Sequence, residues 1–442
     1  MNSNRLFVDL YFRGMVKMIL EKNDSSFFRG INRVAQEYAR RLPEISGFEQ
    51  TYLFGSRLPN ITKSSFQFAG VGGMEAPAKQ LLRESILSHA NDMERKILGK
   101  LPPVLKKATG MVFAAFRRVL VAGMEQDLFV PSYPREGDVW LSVCSTLTAS
   151  IRRLPVKRVL ICYDFTHVYH FKELGLSTPL VSTLGNPAID AKPNEWVICI
   201  SEYARQSFHR FHPDFPRERV YMVPLGADLP STEPFTEDTK TLQVLEEYGL
   251  EKDGYFLTLA AGAPHKNSHY LIEEFVKWKT ESGDTSKKLV LAGAGQDHIT
   301  KKLSPEARLA VENGAVYLTG YVIDANLPAL YKNAFAFLFA SLAEGFGLPP
   351  LEAMGYGTPV ICSDKTSLPE VVGGAGLLFD PTQEGALTEC LRELVNHPLL
   401  RENLILKGKA RAAEFSWQRS TDRLLEALSA ITEWDASKSS KL

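Results

Sequence analysis

Short apolar runs recur along both halves of the chain, and helical patterns lie between them. The apolar runs span residues 5–12, 138–144, 158–165, 196–202 and 219–226 in the first half, and 255–262, 288–295, 315–321, 334–341 and 358–364 in the second. The helical patterns include residues 30–42, 201–211 and 267–279. Strands that are apolar on both faces and alternate with helices are typical of parallel sheets covered on both sides. The pattern therefore predicts an α/β protein.

The two series of strands predict two doubly wound, Rossmann-like domains in tandem. A chain of 442 residues is too long for one ordinary hydrophobic core, which agrees with this division. The break between the domains is expected at residues 229–241, a polar stretch that contains prolines and lacks apolar periodicity.

One segment, from about residue 77 to 126, departs from the alternation because its pattern is helical throughout. Between Glu94 and Arg118 it contains seven Lys or Arg residues and one acidic residue. An apolar stripe beside clustered positive charge would suit an anionic membrane surface. An ordinary helical pair that packs on the first sheet and exposes its lysines explains the same pattern. We favour the second interpretation, and the sequence leaves the first one open.

Overall charge and hydropathy narrow the class of protein. The formal net charge is zero and the pI is about 7.1, so no global basic field suggests a nucleic-acid partner. No run of 18 uninterrupted apolar residues is present, so we expect no membrane-spanning segment. Charged residues interrupt the N-terminal twenty residues, which therefore do not resemble a signal peptide. Five cysteines are scattered without a C-x2-C pair, and we expect reduced thiols in a cytoplasmic protein.

The stretch FASLAEGFGLPPLEAMGYGTPVICSD, residues 339–364, contains the strongest candidate site. It begins at the end of an apolar run, and parallel sheets bind ligands at the carboxyl ends of their strands. Gly345 and Gly347 would let the backbone approach a ligand, and Pro349 suits the first turn of the following helix. The N-terminus of that helix offers unpaired N–H groups to a phosphate. We expect the helix to end at Gly357.

Two glutamates, Glu344 and Glu352, accompany this predicted phosphate site. A carboxylate beside a phosphate is repelled by it, so each glutamate needs another partner. Carboxylates only accept hydrogen bonds, and sugar hydroxyls donate them. Glu344 could therefore hold a sugar and Glu352 the diol of a ribose, which together with a diphosphate make a nucleotide sugar. The plain alternative is a pair of glutamates on a solvated helix face.

The same stretch resembles the donor-site signature of family 4 retaining glycosyltransferases, which have the GT-B fold. The likeness extends to residues 255–275, 316–341 and 414–428 and to two segments before residue 230. It implies two Rossmann-like domains that face a central cleft, with a C-terminal helix that crosses back to the first domain. We accordingly expect an acceptor-side domain at 1–232, a donor-binding domain at 233–415, and a closing helix with a polar tail at 416–442.

The resemblance implies roles for individual residues on the donor side. Glu344 would hold the donor sugar, Glu352 the ribose, and Lys266 the diphosphate of the departing nucleotide. His265 stands where many relatives have an arginine. The remaining implied donor contacts are Gly30, Gly345, Phe346, Gly347 and Leu348. A plain helix-capping role explains Gly30 equally well.

The acceptor side departs from the family pattern. Many relatives have His-Asp after a strand of the first domain, and this chain has Tyr163 and Asp164 there. Asp164 is a candidate acceptor contact or proton acceptor, and His167 and His170 are candidates to replace the missing imidazole. Their D-x2-H-x2-H spacing would also permit a metal ligand set, but no cysteine joins them and three side chains of one loop would have to converge. We expect no metal.

The resemblance predicts a retaining, metal-independent glycosyltransferase without a resident cofactor. Its substrates would be a GDP- or UDP-sugar, with mannose preferred, and a hydroxyl of a glycan or lipid-linked glycan in cell-surface polysaccharide synthesis. Such an enzyme would work in the cytoplasm, with peripheral contact to the inner face of the membrane as a further option. Two alternatives stay open, a nucleotide-sugar epimerase of the same fold and a non-catalytic glycan-binding scaffold.

Overall fold

Two parallel sheets and their covering helices make up the structure, which is a computed structural model. It describes residues 6–9, 33–34, 37–38, 41–42, 51–54, 136–143, 147, 149–170, 172, 186–227, 239–259, 263–293 and 299–434. Gly30, the basic segment at about 77–126 and the tail from residue 435 lie outside the described residues. Below, the first domain means the described residues up to 227, and the second domain means 239–415.

The first sheet has the spatial order β2-β1-β3-β4-β5-β6, and every neighbouring pair is parallel. Its strands are β1 (Leu6–Asp9), β2 (Thr51–Phe54), β3 (Val139–Ser142), β4 (Lys157–Cys162), β5 (Trp196–Cys199) and β6 (Val220–Met222). Strands β3 and β5 are buried at every position, as expected for strands covered on both faces.

The second sheet has the spatial order β12-β11-β10-β7-β8-β9, again with only parallel pairs. Its strands are β7 (Tyr255–Leu259), β8 (Lys288–Ala292), β9 (Val316–Gly320), β10 (Ala336–Phe339), β11 (Val360–Ser363) and β12 (Leu377–Phe379). Counted within the domain, this is the Rossmann order 3-2-1-4-5-6. The strand order reverses between β7 and β10, and ligands bind in the crevice at such a switch point.

Helices connect the strands and cover both sheets. They are α1 (Ala149–Arg152), α2 (Thr166–Tyr169), α3 (Glu202–Phe211), α4 (Thr239–Glu247), α5 (Ser268–Ser282), α6 (Pro305–Glu312), α7 (Leu327–Asn333), α8 (Leu348–Gly355), α9 (Leu368–Val372), α10 (Ala386–Asn396), α11 (Pro398–Ala413) and α12 (Trp417–Glu433). Residues 33–34, 37–38 and 41 are also helical. Within the described ranges, no helix has the length and hydropathy that a membrane crossing requires.

The last helix, α12, returns to the first domain and packs there. The Tyr38 and Trp417 rings meet edge to face with centroids 6.2 Å apart, and the Tyr38 hydroxyl lies 3.1 Å from Ser420 Oγ. Beyond the end of the helix, the Trp434 ring packs edge to face on Trp196 of β5 at 5.0 Å. The predicted α/β fold, with two Rossmann-like domains and a C-terminal helix that crosses back, is confirmed.

Lys157 holds the C-terminal end of α12. Its Nζ donates hydrogen bonds to the carbonyl oxygens of Ile431 at 2.6 Å, Thr432 at 2.8 Å and Trp434 at 3.1 Å. The last carbonyls of a helix have no partner within the helix and carry partial negative charge. One ammonium group of the first domain therefore donates to three carbonyl oxygens at and just beyond the end of α12.

The start of α12 lies against the end of the first domain. Ala227 N donates to Phe415 O at 2.7 Å, and Ala227 forms a parallel β-bridge with Ser416. A Cβ on Gly226 would lie 2.3 Å from Trp417 N, so no larger residue fits there without a backbone shift. Glycine at this position permits the close crossing of the two chain segments.

Two strands lie outside the apolar runs identified in the sequence. They are β2 and β12, each the outermost strand of its sheet. Their apolar runs, residues 52–54 and 377–379, are only three residues long, whereas the runs identified in the sequence span seven or eight residues. Hydrogen-bonded pairing with the neighbouring strand, β1 for β2 and β11 for β12, makes these two segments strands.

Candidate active site

The loops after β7 and β10 meet at the switch point of the second sheet. Leu342 N donates to the carbonyl oxygen of His265 at 2.8 Å, and Ser341 Oγ donates to the same oxygen at 3.2 Å. These bonds hold the two loops side by side. Lys266 of the first loop and Glu344 of the second are thereby placed next to each other.

Lys266 and Glu344 form an ion pair at this crevice. Lys266 Nζ donates to Glu344 Oε1 at 2.6 Å, and the two side chains are 20% and 16% exposed. Lys266 Nζ also lies 4.9 Å from the centroid of the Phe339 ring. The sequence predicted both residues as donor contacts but not their contact with each other. The pair places one fixed cation and one fixed acceptor group at a ligand-binding edge.

Burial and charge set the protonation of this pair and of His265. Burial by itself would raise the pKa of Glu344, but the nearby Lys266 and His265 and hydrogen bonds outweigh it and lower the pKa. Burial, with the adjacent Lys266 ammonium, lowers the pKa of His265 to about 4. His265 is therefore neutral at pH 7, and Lys266 is the charged group of the Pro264–Lys266 turn.

Thr366 and Ser367, the two residues before α9, form hydrogen bonds with residues 344–347, which are called the glycine loop here. Ser367 Oγ lies 3.0 Å from the carbonyl oxygen of Glu344 and 2.7 Å from that of Phe346. Glu344 N donates to Thr366 Oγ1 at 3.0 Å. Thr366 has a φ of 56°, a left-handed conformation that is uncommon for a β-branched residue. These bonds fix the backbone that presents the Glu344 carboxylate.

Helix α8 begins directly at the loop, as the sequence predicted. Gly347 precedes it with a φ of 118°, which only glycine adopts readily, and Leu348 is its first residue. The helix ends at Gly355 with Tyr356 as its C-cap, and Gly357 follows with a left-handed φ of 78°, as predicted for the glycine that stops the helix. Pro349 and Pro350 have no N–H group, so the backbone donors at the N-terminal end are Leu348 N–H and those of the preceding loop, which also carries the Glu344 partner of Lys266.

Glu352 lies one turn into α8, at 8% exposure. Tyr331 of α7 donates its hydroxyl hydrogen bond to Glu352 Oε2 at 3.1 Å. Burial, and then the Glu352 charge, raise the pKa of Tyr331 well above its usual value, so its hydroxyl remains a donor. The other carboxylate oxygen, Oε1, pairs with the Arg33 guanidinium of the first domain. Neither partner was predicted from the sequence.

Asp164 of the first domain reaches the glycine loop of the second. Its Oδ1 accepts hydrogen bonds from Thr166 N at 2.8 Å and from Thr166 Oγ1 at 2.6 Å. A Cβ built on Gly345 would lie 2.6 Å from Asp164 Oδ2 and 2.7 Å from Tyr163 O. Glycine at 345 therefore permits close contact between the domains, besides the ligand approach for which the sequence suggested it.

The other acceptor-side candidates lie in different surroundings. Tyr163 belongs to the buried core of the first domain, at 4% exposure. His167 Nδ1 is 3.9 Å from Asp164 Oδ1, whereas His170 Nε2 is 2.7 Å from the hydroxyl of Tyr203. Of the candidates, Asp164 and His167 thus lie together, whereas the His170 ring contacts Tyr203 of α3. In the part of the chain that the structure describes, no group of three or more His, Cys, Asp or Glu residues is arranged to hold a metal ion.

Further polar contacts join the two domains beside the site. Ser201 Oγ donates to Gly345 O at 2.7 Å. The carboxylate of Glu370 accepts hydrogen bonds from Glu202 N at 2.9 Å and Tyr203 N at 3.1 Å, at the N-terminus of α3. A carboxylate at this end of a helix is favourable. Sequence reasoning missed this contact because the residues are about 170 positions apart and carry no local signal.

Comparison with known proteins agrees with this architecture. Residues 244–411 match the family model described as glycosyl transferases group 1. The chain is 33% identical over 235 residues to O-antigen chain mannosyltransferase B of Escherichia coli, covering 52% of this chain and 59% of that protein. It is 25% identical over 324 residues to the serotype-specific mannosyltransferase WbdA of E. coli, covering 72% of this chain and 38% of that protein. The chain thus spans less than two thirds of either relative.

Solved structures share the fold over nearly the whole chain. A glycosyltransferase from Rickettsia africae superposes with a TM-score of 0.62 at 14% identity, covering 98% of this chain and 100% of that one. HepE from Anabaena, solved in complex with UDP and glucose, gives 0.58 at 16% identity, covering 97% and 100%. The chain therefore has the GT-B fold, its residues 244–411 match the group 1 glycosyl transferase model, and it is similar to the O-antigen mannosyltransferases.

Proposed function

We propose that this chain is a retaining glycosyltransferase that transfers mannose from GDP-mannose to a hydroxyl of a glycan or lipid-linked glycan. The Lys266–Glu344 pair at the switch point is the observation that carries the proposal. It offers a cation for the diphosphate and an acceptor-only group for sugar hydroxyls, within one crevice. Glu352, one helical turn further on, supplies the second carboxylate for the ribose.

The donor would lie along the start of α8. The diphosphate would contact Lys266 and the backbone N–H groups of Phe346, Gly347 and Leu348, where the helix N-terminus favours negative charge. In the structure Lys266 pairs with Glu344. When the diphosphate binds, Lys266 would serve both anions, and Glu344 would accept hydrogen bonds from the sugar.

The reaction would break the bond between the anomeric carbon and the diphosphate oxygen and form a bond from the acceptor oxygen to that carbon on the same face. The acceptor proton would pass to the departing phosphate oxygen. Lys266 would stabilise the charge that develops there, the task that a metal ion performs in metal-dependent transferases. Asp164 would contact the acceptor through Oδ2, the oxygen nearest the glycine loop.

The choice of sugar and pathway rests on the relatives. The two E. coli relatives named above and RfbU of Salmonella typhimurium, 32% identical over 149 residues, are all named mannosyltransferases. Two of them are described as O-antigen chain enzymes. We therefore infer a role in cell-surface polysaccharide synthesis at the cytoplasmic side of the membrane, with a UDP-sugar as the second donor class to test.

Substitution of Lys266 tests the proposal most directly. Loss of one fixed group that stabilises transition-state charge costs about 10²–10³ in rate, so Lys266→Gln should lower mannose transfer by that factor. Lys277→Gln is the matched control, because Lys277 forms an exposed pair with Glu384 at 3.0 Å in the same domain. Transfer would be measured with and without EDTA, and the anomeric configuration of the product by NMR.

Several results would contradict the proposal. Equal activity of Lys266→Gln and Lys277→Gln would exclude the assigned site. An inverted anomer or loss of activity in EDTA would exclude the proposed mechanism. Conversion of donor without any acceptor would favour the epimerase, and absence of nucleotide binding would favour the non-catalytic scaffold.

A further inference from the structure

We propose that Arg33 holds the hydrogen-bonding position on Glu352 that the donor's ribose takes over. Binding of the nucleotide then requires that an ion pair between the two domains be broken. The inference rests on the proposed function, because it assumes that Glu352 is the ribose-binding carboxylate. It assigns to Arg33 a role that the sequence did not suggest.

Tyr331 and Arg33 approach Glu352 from different domains. Tyr331 is 1% exposed and belongs to the second domain, so it reaches Oε2 from the interior of that domain. Arg33 belongs to the first domain and its side chain is 32% exposed, so it reaches Oε1 from the cleft. A ligand must also approach Glu352 from the cleft, which is the side that Arg33 occupies.

Packing fixes the position from which Arg33 extends. Tyr38, five residues further on, is buried against Trp417 of the closing helix, and its hydroxyl contacts Ser420. Arg33 therefore extends from a part of the first domain that is anchored to α12. Its guanidinium reaches α8 across 319 positions of sequence.

The chemistry of a diol explains why the two partners compete. Each ribose hydroxyl donates one hydrogen bond, and a carboxylate holds a vicinal diol in bidentate fashion when each of its oxygens accepts one of them. In the structure the interior partner engages Oε2, and the guanidinium engages the cleft side of Oε1. Tyr331 can remain in place when a ribose binds, whereas Arg33 has to leave. Without donor, Arg33 keeps the buried Glu352 charge compensated.

Paired titrations of ribonucleotides and their dideoxy analogues test the exchange. GDP, UDP and the 2′,3′-dideoxy forms of both would be titrated by calorimetry into the wild type, Arg33→Gln and Arg41→Gln. Arg41 is the matched control, because it pairs with Glu37 within the first domain and not across the cleft. The readout is a ratio, the dissociation constant of the dideoxynucleotide divided by that of the ribonucleotide. Both ligands carry the same diphosphate, so any general effect of the substitution on diphosphate binding cancels in this ratio.

Loss of the competitor should raise this ratio. The ion pair is partly exposed and therefore weak, so the ratio should rise by only about three-fold in Arg33→Gln. Arg41→Gln should leave it unchanged, and Arg33→Ala should repeat the Arg33→Gln result. Melting curves would verify that each variant is folded.

The outcomes separate this inference from the proposed function. If the wild type binds neither GDP nor UDP, the proposed function fails, and the inference fails with it. If the wild type binds one of them but the ratio in Arg33→Gln stays the same or falls, the proposed function stands and Arg33 does not compete with the ribose.

Discussion

Gly345 lies where the glycine loop of the second domain touches the first domain, and replacing it by alanine tests whether that contact matters. A Cβ there would lie 2.6 Å from Asp164 Oδ2 and 2.7 Å from Tyr163 O. Asp164 is held through Oδ1 by two hydrogen bonds from Thr166, and Tyr163 O is a backbone atom. Neither neighbour can move aside without local rearrangement. The loop and the first domain must therefore separate.

The size of the effect follows from the required separation. A carbon–oxygen contact of ordinary length is about 3.3 Å, so the methyl group requires a shift of roughly 0.6 Å or more. A displacement near 1 Å at a reacting centre can cost about 100-fold in rate, equivalent to about 2.7 kcal/mol. Gly345 does not have a positive φ, so alanine brings no backbone strain of its own. We expect kcat to fall by this factor and the nucleotide Kd to change less than about three-fold.

Steady-state kinetics and nucleotide titration on the same preparations would measure both quantities. Gly374→Ala is the control, because a Cβ there meets no atom within 4 Å and its φ is −81°. Wild-type kcat in Gly345→Ala would refute the idea that this domain contact positions the reacting groups. A large loss of nucleotide affinity together with kcat would instead indicate damage to the donor loop itself.

Two further predictions concern stability. Lys157→Met should lower the free energy of unfolding by about 1–3 kcal/mol, because three carbonyls of α12 lose a charged donor. Lys288→Met is the control, since Lys288 also begins a strand but donates one hydrogen bond of 3.3 Å. Equal urea unfolding midpoints for Lys157→Met and Lys288→Met would contradict the prediction. The unfolded chain protonates His265 near pH 6.5 and the folded protein near pH 4, so stability should fall by roughly 3 kcal/mol as pH drops through that window. His265→Asn should remove this part of the pH dependence, and parallel curves for variant and wild type would show that another group causes it.

The sequence predicted the fold well because the central strands carry a strong local signal. Strands such as β5 and β10 are short, apolar at every position and flanked by helical patterns. The switch point could also be anticipated, since the glycine loop and the Lys266 loop each follow such a strand. The edge strands β2 and β12 were missed because their apolar runs are only three residues long, shorter than the runs around the other strands.

The contacts that join the domains could not be predicted from local pattern. Arg33 and Glu352 are 319 positions apart, and Glu370 lies 168 positions from Glu202. Each is an ordinary charged residue in its own segment, and only tertiary packing brings them together. For Tyr163 the local pattern was misleading. Its position after a strand suggested that its side chain lies in the cleft, whereas the ring is buried in the core of the first domain.

The bridge between Ala227 and Ser416 has a mechanical consequence. The chain leaves the first domain after Ala227 and returns to it at Ser416, and these two crossings are bonded side by side. Both connections between the domains therefore pass close to one point, which we expect to act as a hinge. The domains should rotate about this point, because sliding apart there would break the Ala227–Phe415 hydrogen bond. Opening of the cleft should accordingly be a rotation that separates Arg33 from Glu352 and leaves the packing of Trp417 intact.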